Sequence, residues 1–598
     1  MMNKYKLVGA FLVALFTGVE ISAQTYNWSP AGPVLSAGRS RNMVVDKNNN
    51  NVLYVGSVSS GIFESTDAGA NWFPLDDQGS VRNISYLAQA ADGTIYAGTG
   101  EGFLRLTARQ RALVGTGLYK LLSNNTLQLV MDSATLGTVI TRVACHPLDA
   151  NKIAVAGNKG LFVSIDGGAS FTKASGAIAP TATALTVAYD GQGNLLATTT
   201  SVTTGGGVRM YRSIGGGAAD FTDITPISTL LPNSNYGRIE FAVSNGNSAT
   251  IYASIAKPTN PNLNTSSASL YAFFVSKDAG INWTMILEGS PQLDPLSSGG
   301  SSNSGDYAHC VLVNPLNENQ VFIGSYKFYS WTKNATGPEG VGTWIRYGSE
   351  LAFNSPVYLR QNIHDIKVTT SGSSISKFYF VTDAGIYRST DFLTSFQPFF
   401  KGLSTAQYNS ISIARYPKSA NTSNTLTPYS GYIAGTAGNG LGFFSGNYPA
   451  VTNEFNYLSG DINGVQYSLL SPNTVFASNF TGNLYLASDI LTNEPNIMQA
   501  SHLASKCNSE PAITQIDFRG ITNGGTTTDD IYTNNSYSVI GTPFKLWEST
   551  KTIGTPTNSW ANTIDSTLFY NDSVRVLIPL TSTVETVFSI NLIKPQKE

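Results

Sequence analysis

The chain has 598 residues, with 36 Lys and Arg set against 38 Asp and Glu for a formal net charge of −2, so nothing in its charge supports a grip on nucleic acid. Charged residues are 12% of the total, against roughly 25% in an average soluble domain, while Gly reaches 57 and aromatics 11%. That composition suits many short strands joined by tight turns, and three cysteines, Cys145, Cys310 and Cys507, exclude a disulfide framework.

The N-terminus reads as a secretory signal over residues 1–23. Lys4 and Lys6 precede an apolar run from Leu7 to Phe16, and Ile21-Ser22-Ala23 places a small residue before Gln24. No later stretch reaches about 18 uninterrupted apolar residues, and no Cys follows the signal to carry a lipid. The expectation is an exported protein without an integral membrane span after signal removal: extracellular, cell-surface or periplasmic. No Cys-x-x-Cys and no His-Glu-x-x-His occurs, and no metal or cofactor is expected.

From there a short apolar strand recurs. It reads Val52-Leu53-Tyr54-Val55-Gly56, then Thr94-Ile95-Tyr96-Ala97-Gly98, then Ile153-Ala154-Val155-Ala156-Gly157. Further copies centre on Leu196, Tyr252, Phe322, Phe380, Ile433, Phe476 and Tyr532. The spacing averages about 53 residues, a propeller-blade period enlarged by loop insertions. Each copy is preceded by another strand-like run, such as His309-Cys310-Val311-Leu312-Val313, and followed by a third.

The third run ends in a second repeated pattern, Ser-x-Asp-x-Gly-x-x-aromatic. Its full copies use Ser65, Asp67, Gly69 and Trp72, then Ser164, Asp166, Gly168 and Phe171, then Ser276, Asp278, Gly280 and Trp283. A degenerate copy has Ser389 and Asp391, with Leu393 where Gly is expected, and ends at Phe396. Weaker ones begin at Ser213, Ser488 and Ser549. An Asp side chain accepts from nearby backbone N–H groups, Gly supplies a positive φ, and the aromatic packs into a core. A carboxylate that comes and goes between repeats is holding a turn, not performing chemistry. The unit is four antiparallel strands, and the fold expected over residues 24–564 is an all-β propeller of about ten blades. The alternative is a seven- or eight-bladed ring followed by a C-terminal β-domain. Residues 565–598 add strand-like runs that close the propeller or begin another module.

The Ser-x-Asp pattern resembles the BNR or Asp-box repeat of sialidases, sortilin-type receptors, xyloglucanases and many secreted β-propellers. Residues 360–445, with His364-Asp365, Thr382-Asp383-Ala384-Gly385-Ile386-Tyr387-Arg388-Ser389, Gln407-Tyr408 and Gly435-Thr436-Ala437-Gly438-Asn439-Gly440, are similar to sortilin-like, YVTN/BNR-type propellers of secreted bacterial proteins. That family often carries an Asp before the Asn, where Gly438 stands here. Sialidases need an Arg-Ile-Pro motif, and Arg238-Ile239-Glu240 lacks the Pro. Xyloglucanases set two carboxylates across a cleft between two propellers, and the chain is too short for two seven-bladed rings of this period.

Topology then selects a face. Starts of first strands lie with the turns between second and third strands, and the Ser-x-Asp turns lie at the opposite end. Insertions at 99–116, 199–207, 255–269 and 288–305 load the first of these faces. Asp306, Tyr307, His309, His364, Asp365 and Asp461 gather at starts of first strands and are the expected binding residues. If either histidine contacts the ligand, binding should change between about pH 5 and 8. The functional expectation is a non-catalytic propeller binding a protein or glycan at the channel mouth; the alternative is a polysaccharide-active glycoside hydrolase of the xyloglucanase-like type.

Overall fold

The computed structural model describes residues 37–413, apart from 77–78, 104–112, 202–206, 227–234, 259–267, 300–302 and 351–354. Beyond these it describes the strands of three further sheets, the last ending at Asp565. The expected signal segment, Asp461, Gly438, Ser488 and residues 566–598 lie outside the described residues.

The described strands form ten antiparallel sheets, nine of four strands and one of three, each ordered as the chain runs. Sheet 1 is Ser40–Val45, Leu53–Ser57, Gly61–Ser65 and Phe73–Pro74. The recurring apolar strand read from the sequence is the second strand of every sheet. These strands are apolar without alternation because both of their faces are covered. In sheet 3, Ile153–Gly157 is buried throughout and pairs with Cys145 on one side and Ser164 on the other.

Seven inter-sheet cores join the first seven sheets into a ring. Val44, Ile62, Ile84 and Ala97 fill the space between sheets 1 and 2. Tyr96, Leu118, Val143 and Val155 join sheets 2 and 3, and Leu161, Val163, Leu195 and Tyr211 join 3 and 4. Met210, Ile239 and Phe274 join 4 and 5; Tyr252, Phe273, Ile323 and Trp331 join 5 and 6; Phe322, Phe328, Phe378 and Phe380 join 6 and 7. The seventh core contains Met43, Phe63, Trp72, Tyr379 and Val381, from sheets 1 and 7. The ring therefore closes as a seven-bladed β-propeller. The ten repeat units all form sheets, but only seven belong to this ring, as in the second of the two organisations expected. Sheets 8, 9 and 10 follow it, with Val465 N–H of sheet 9 bonded to Ser410 Oγ of sheet 8.

The Ser-x-Asp turns sit between third and fourth strands. In each full copy the Ser hydroxyl donates to the Asp at 2.8–2.9 Å and accepts the Gly N–H at 2.8 Å. The Asp also accepts the backbone N–H four residues on, from Asn71, Ser170 or Asn282. These bonds, from the Ser170 hydroxyl first, hold Asp166 down to about 2. The degenerate copy keeps the same bonds, with Leu393 forced to φ 72° in the place of Gly. Ser549 lies within the strand Lys545–Thr552, so the pattern there does not form this turn.

The terminal aromatic of each copy packs on the preceding sheet. Trp283 Nε1 donates to the carbonyl of Ile224 just after the last strand of sheet 4, and Phe171 rests against the core between sheets 2 and 3. Trp72 belongs to sheet 1, and its Nε1 donates to the carbonyl of Phe399 after sheet 7 at 2.9 Å. The turn repeated in sheets 1, 3, 5 and 7 thus also forms the closing seam.

Candidate functional site

In each ring sheet the start of the first strand and the turn between second and third strands share one end; the Ser-x-Asp turns share the other. Bulges mark the first strands of sheets 1 and 7. Pairing skips one residue between Ser40 and Asn42 and between Ile363 and Asp365, which leaves Arg41 and His364 out of the ladder. A bulge re-aims a side chain, and these two meet at the channel mouth.

Arg41 donates to Nδ1 of His364 at 3.0 Å, and Nε2 of His364 lies 2.8 Å from Oδ1 of Asp383. Arginine can only donate and a carboxylate can only accept, which fixes His364 as the neutral Nε2–H tautomer. Tyr307 donates to the same Asp383 oxygen at 2.7 Å and accepts from Arg39 at 3.0 Å. Asn362 donates to the other Asp383 oxygen. Arg39 and Arg41 converge on the carboxylate of Glu101, at 2.6 and 3.4 Å. Glu240 bridges Arg142 and Arg238, each at 2.6 Å, and accepts from Thr186. The Arg142 guanidinium lies over the ring of Tyr86.

Four of the expected residues are drawn into this buried network. Tyr307 and His364 are members of it. The carbonyls of Asp306, Tyr307 and His309 accept from Arg238, and the His309 ring bonds to Ser254 Oγ. Asp365 points elsewhere: it accepts the backbone N–H of Met43 and pairs with Lys367, joining sheet 7 to sheet 1. Asp461 lies outside the described residues.

Sequence reasoning missed the arginines and their acids: Arg39, Arg41, Glu101, Arg142 and Asp383. Arg238 and Glu240 were read only as a failed sialidase motif. The Gly38-Arg39-Ser40-Arg41 stretch ahead of a first strand was a signal available in the sequence. Asp383 stood inside the family-like stretch without being singled out.

Burial, with Arg41 next, pushes His364 down to about 4; burial, with Arg238 next, pushes His309 down to about 3. The expected switch between pH 5 and 8 is therefore corrected: both rings stay neutral through that range. Burial alone would raise Asp383, but the bonds from His364 and Tyr307 and the charge of Arg39 hold it far below the usual carboxylate range. Among the described residues no group of three or more His, Cys, Asp or Glu is placed to hold a metal ion.

The Nδ1 lone pair that would serve as a general base is occupied by an Arg41 N–H. Asp383, held far below the usual carboxylate range, accepts from His364, Tyr307 and Asn362.

No protein-family profile and no curated protein matches the chain. Among solved structures, an ancestral GH74 enzyme is similar over 91% of this chain and 86% of its own, at 15% identity and a TM-score of 0.47. The GH74 xyloglucanase of Xanthomonas campestris is similar over 91% and 95%, at 12% identity and a TM-score of 0.38. YCF48 from Cyanidioschyzon merolae is similar over 60% and 96%, at 13% identity and a TM-score of 0.35.

Proposed function

We propose that this chain is an exported, non-catalytic β-propeller of the BNR/Asp-box, sortilin-like kind that binds a protein or glycan ligand on the channel-mouth face. The observation that carries this reading is the state of the channel acids. Glu101 and Glu240 are clamped by arginines, and Asp383 by His364, Tyr307 and Asn362, at 2.6–2.8 Å. A glycosidase needs one carboxyl that carries a proton and a partner facing it across an open cleft. These acids are buried and committed to other donors. The acids sit in a ring of sheets joined by packed cores, and scaffolds that position loops at one end are where recognition sits.

The test is a screen of purified protein against a glycan array and a panel of exported proteins, followed by mapping of the ligand. Binding is expected at the channel-mouth end, with Asp166→Ala, at the other end, leaving it intact. Release of reducing ends from a polysaccharide, abolished by Glu240→Gln or Asp383→Asn, would overturn the reading in favour of a hydrolase.

A further inference from the structure

Residues Glu101–Phe103 follow the second strand of sheet 2, Ile95–Thr99, and reach across to Arg39, Arg41 and Arg238. The Glu101 carboxylate accepts from Arg39 at 2.6 Å and from Arg41 at 3.4 Å. Two residues on, the Phe103 carbonyl accepts from Arg41 at 3.4 Å. The Phe103 ring centroid lies 3.5 Å from the guanidinium carbon of Arg238. Three arginines from sheets 1 and 5 thus grip one carboxylate, one carbonyl and one aromatic face, all from a three-residue segment of sheet 2. Phe103 holds φ 57°, a left-handed conformation that is costly for a bulky side chain. Its seat is therefore set by the arginines it touches and not by its own backbone preference.

Such contacts are how a protein reads a peptide. Guanidinium–carboxylate bonds are strong and directional, and a guanidinium stacked on a ring adds cation–π attraction. Building on the binding role proposed above, we infer that Arg39, Arg41 and Arg238 form a recognition site for a peptide carrying a carboxylate and, two residues later, an aromatic ring. Glu101 and Phe103 fill that site as the chain's own ligand. A neutral glycan offers stacking and hydroxyls but no carboxylate at this spacing, so the observations favour a peptide.

The probe is the fluorescein-labelled peptide Thr-Gly-Glu-Gly-Phe-Leu, amidated, read by anisotropy. The double variant Glu101→Ala, Phe103→Ala vacates the site and is expected to bind the probe about tenfold or more tighter than the wild type. Replacing the probe's Glu by Gln, or its Phe by Ala, is expected to remove that gain, as is adding Arg238→Gln to the variant. A double variant that melts like the wild type yet binds no tighter would overturn the inference, as would binding indifferent to the probe's Glu and Phe. If the double variant does not fold, hydrogen exchange on the wild type decides: millimolar probe should raise exchange at residues 100–103 by displacing them, and unchanged exchange overturns the idea. A glycan bound at the mouth and not displaced by the probe would overturn the peptide assignment while leaving the binding face standing.

Discussion

Oδ2 of Asp365 accepts the backbone N–H of Met43 at 3.2 Å, across 322 residues of chain. Asn42 makes the corresponding link from sheet 1 to sheet 2, accepting from Leu87 N–H and donating to its carbonyl. Ser410 makes it from sheet 8 to sheet 9. All three residues follow the bulge in their first strands. Sheet 7 clasps sheet 1 and not sheet 8, and that choice of partner closes the ring at seven.

Removing the clasp should loosen the seam. Asp365→Ala strands a buried backbone N–H at Met43, which costs about 1–3 kcal/mol. Asp365→Asn keeps an acceptor and should lose less, although Lys367 forfeits its ionic partner. Urea unfolding of the two variants checks this. An Asp365→Ala midpoint equal to that of the wild type would mean that the clasp contributes nothing.

The Arg41–His364–Asp383 chain makes the protein acid-sensitive. His364 titrates near 4 when folded and near 6.5 as an unperturbed side chain. Between those values the unfolded chain binds more protons, so stability declines as pH falls from about 6.5 to about 4. The decline amounts to about 3 kcal/mol for this one ring. His309 acts with the same sign. Asp383, depressed in the fold, adds a further loss below the usual carboxylate range. Melting temperature against pH should fall less steeply for His364→Gln than for the wild type over that window; parallel curves would refute the assignment.

The repeat unit was legible because it is local. An apolar second strand, a third strand and a Ser-x-Asp turn announce themselves within about 25 residues; the apolar strands formed where expected, and so did the turns at Ser65, Ser164, Ser276 and Ser389, whereas the copy at Ser549 lies inside a strand. The number of blades was not legible, because closure depends on Trp72 meeting Phe399 and Asp365 meeting Met43, pairs that no periodicity encodes. The site was half legible. Topology put Tyr307 and His364 together at the first-strand end of the ring, but it could not show that Arg39, Arg41 and Glu101, from sheets 1 and 2, converge there. Asp365 was misread because one residue along a bulged strand separates the channel from the seam.

The turn aromatics should differ in weight despite their equivalent positions. Trp72 is 2% exposed, whereas Phe171 and Trp283 are half-buried. Trp72→Ala should cost about 3–5 kcal/mol and open the ring seam. Trp283→Ala should cost distinctly less in the same denaturation experiment. Equal losses would show that seam closure adds nothing to the ordinary packing of one blade on the next.

Glu240 offers the sharpest test of what fills the channel. Its carboxylate carries two guanidiniums, Arg142 from sheet 3 and Arg238 from sheet 5, at 2.6 Å each, and its side chain is 1% exposed. Taking three charged groups out of water is costly, and the cost is recovered only while all three are present. Glu240→Ala leaves two like charges facing each other in a dry site and should lose about 3–5 kcal/mol. The triple change Glu240→Leu, Arg142→Met, Arg238→Met should recover much of that loss, since an apolar set of similar volume avoids the desolvation cost. The same triple change removes the Arg238 contact with Phe103, so the mouth should become more accessible while the fold survives. If Glu240→Ala instead melts like the wild type, water reaches the two arginines, and the channel is open where the network closes it.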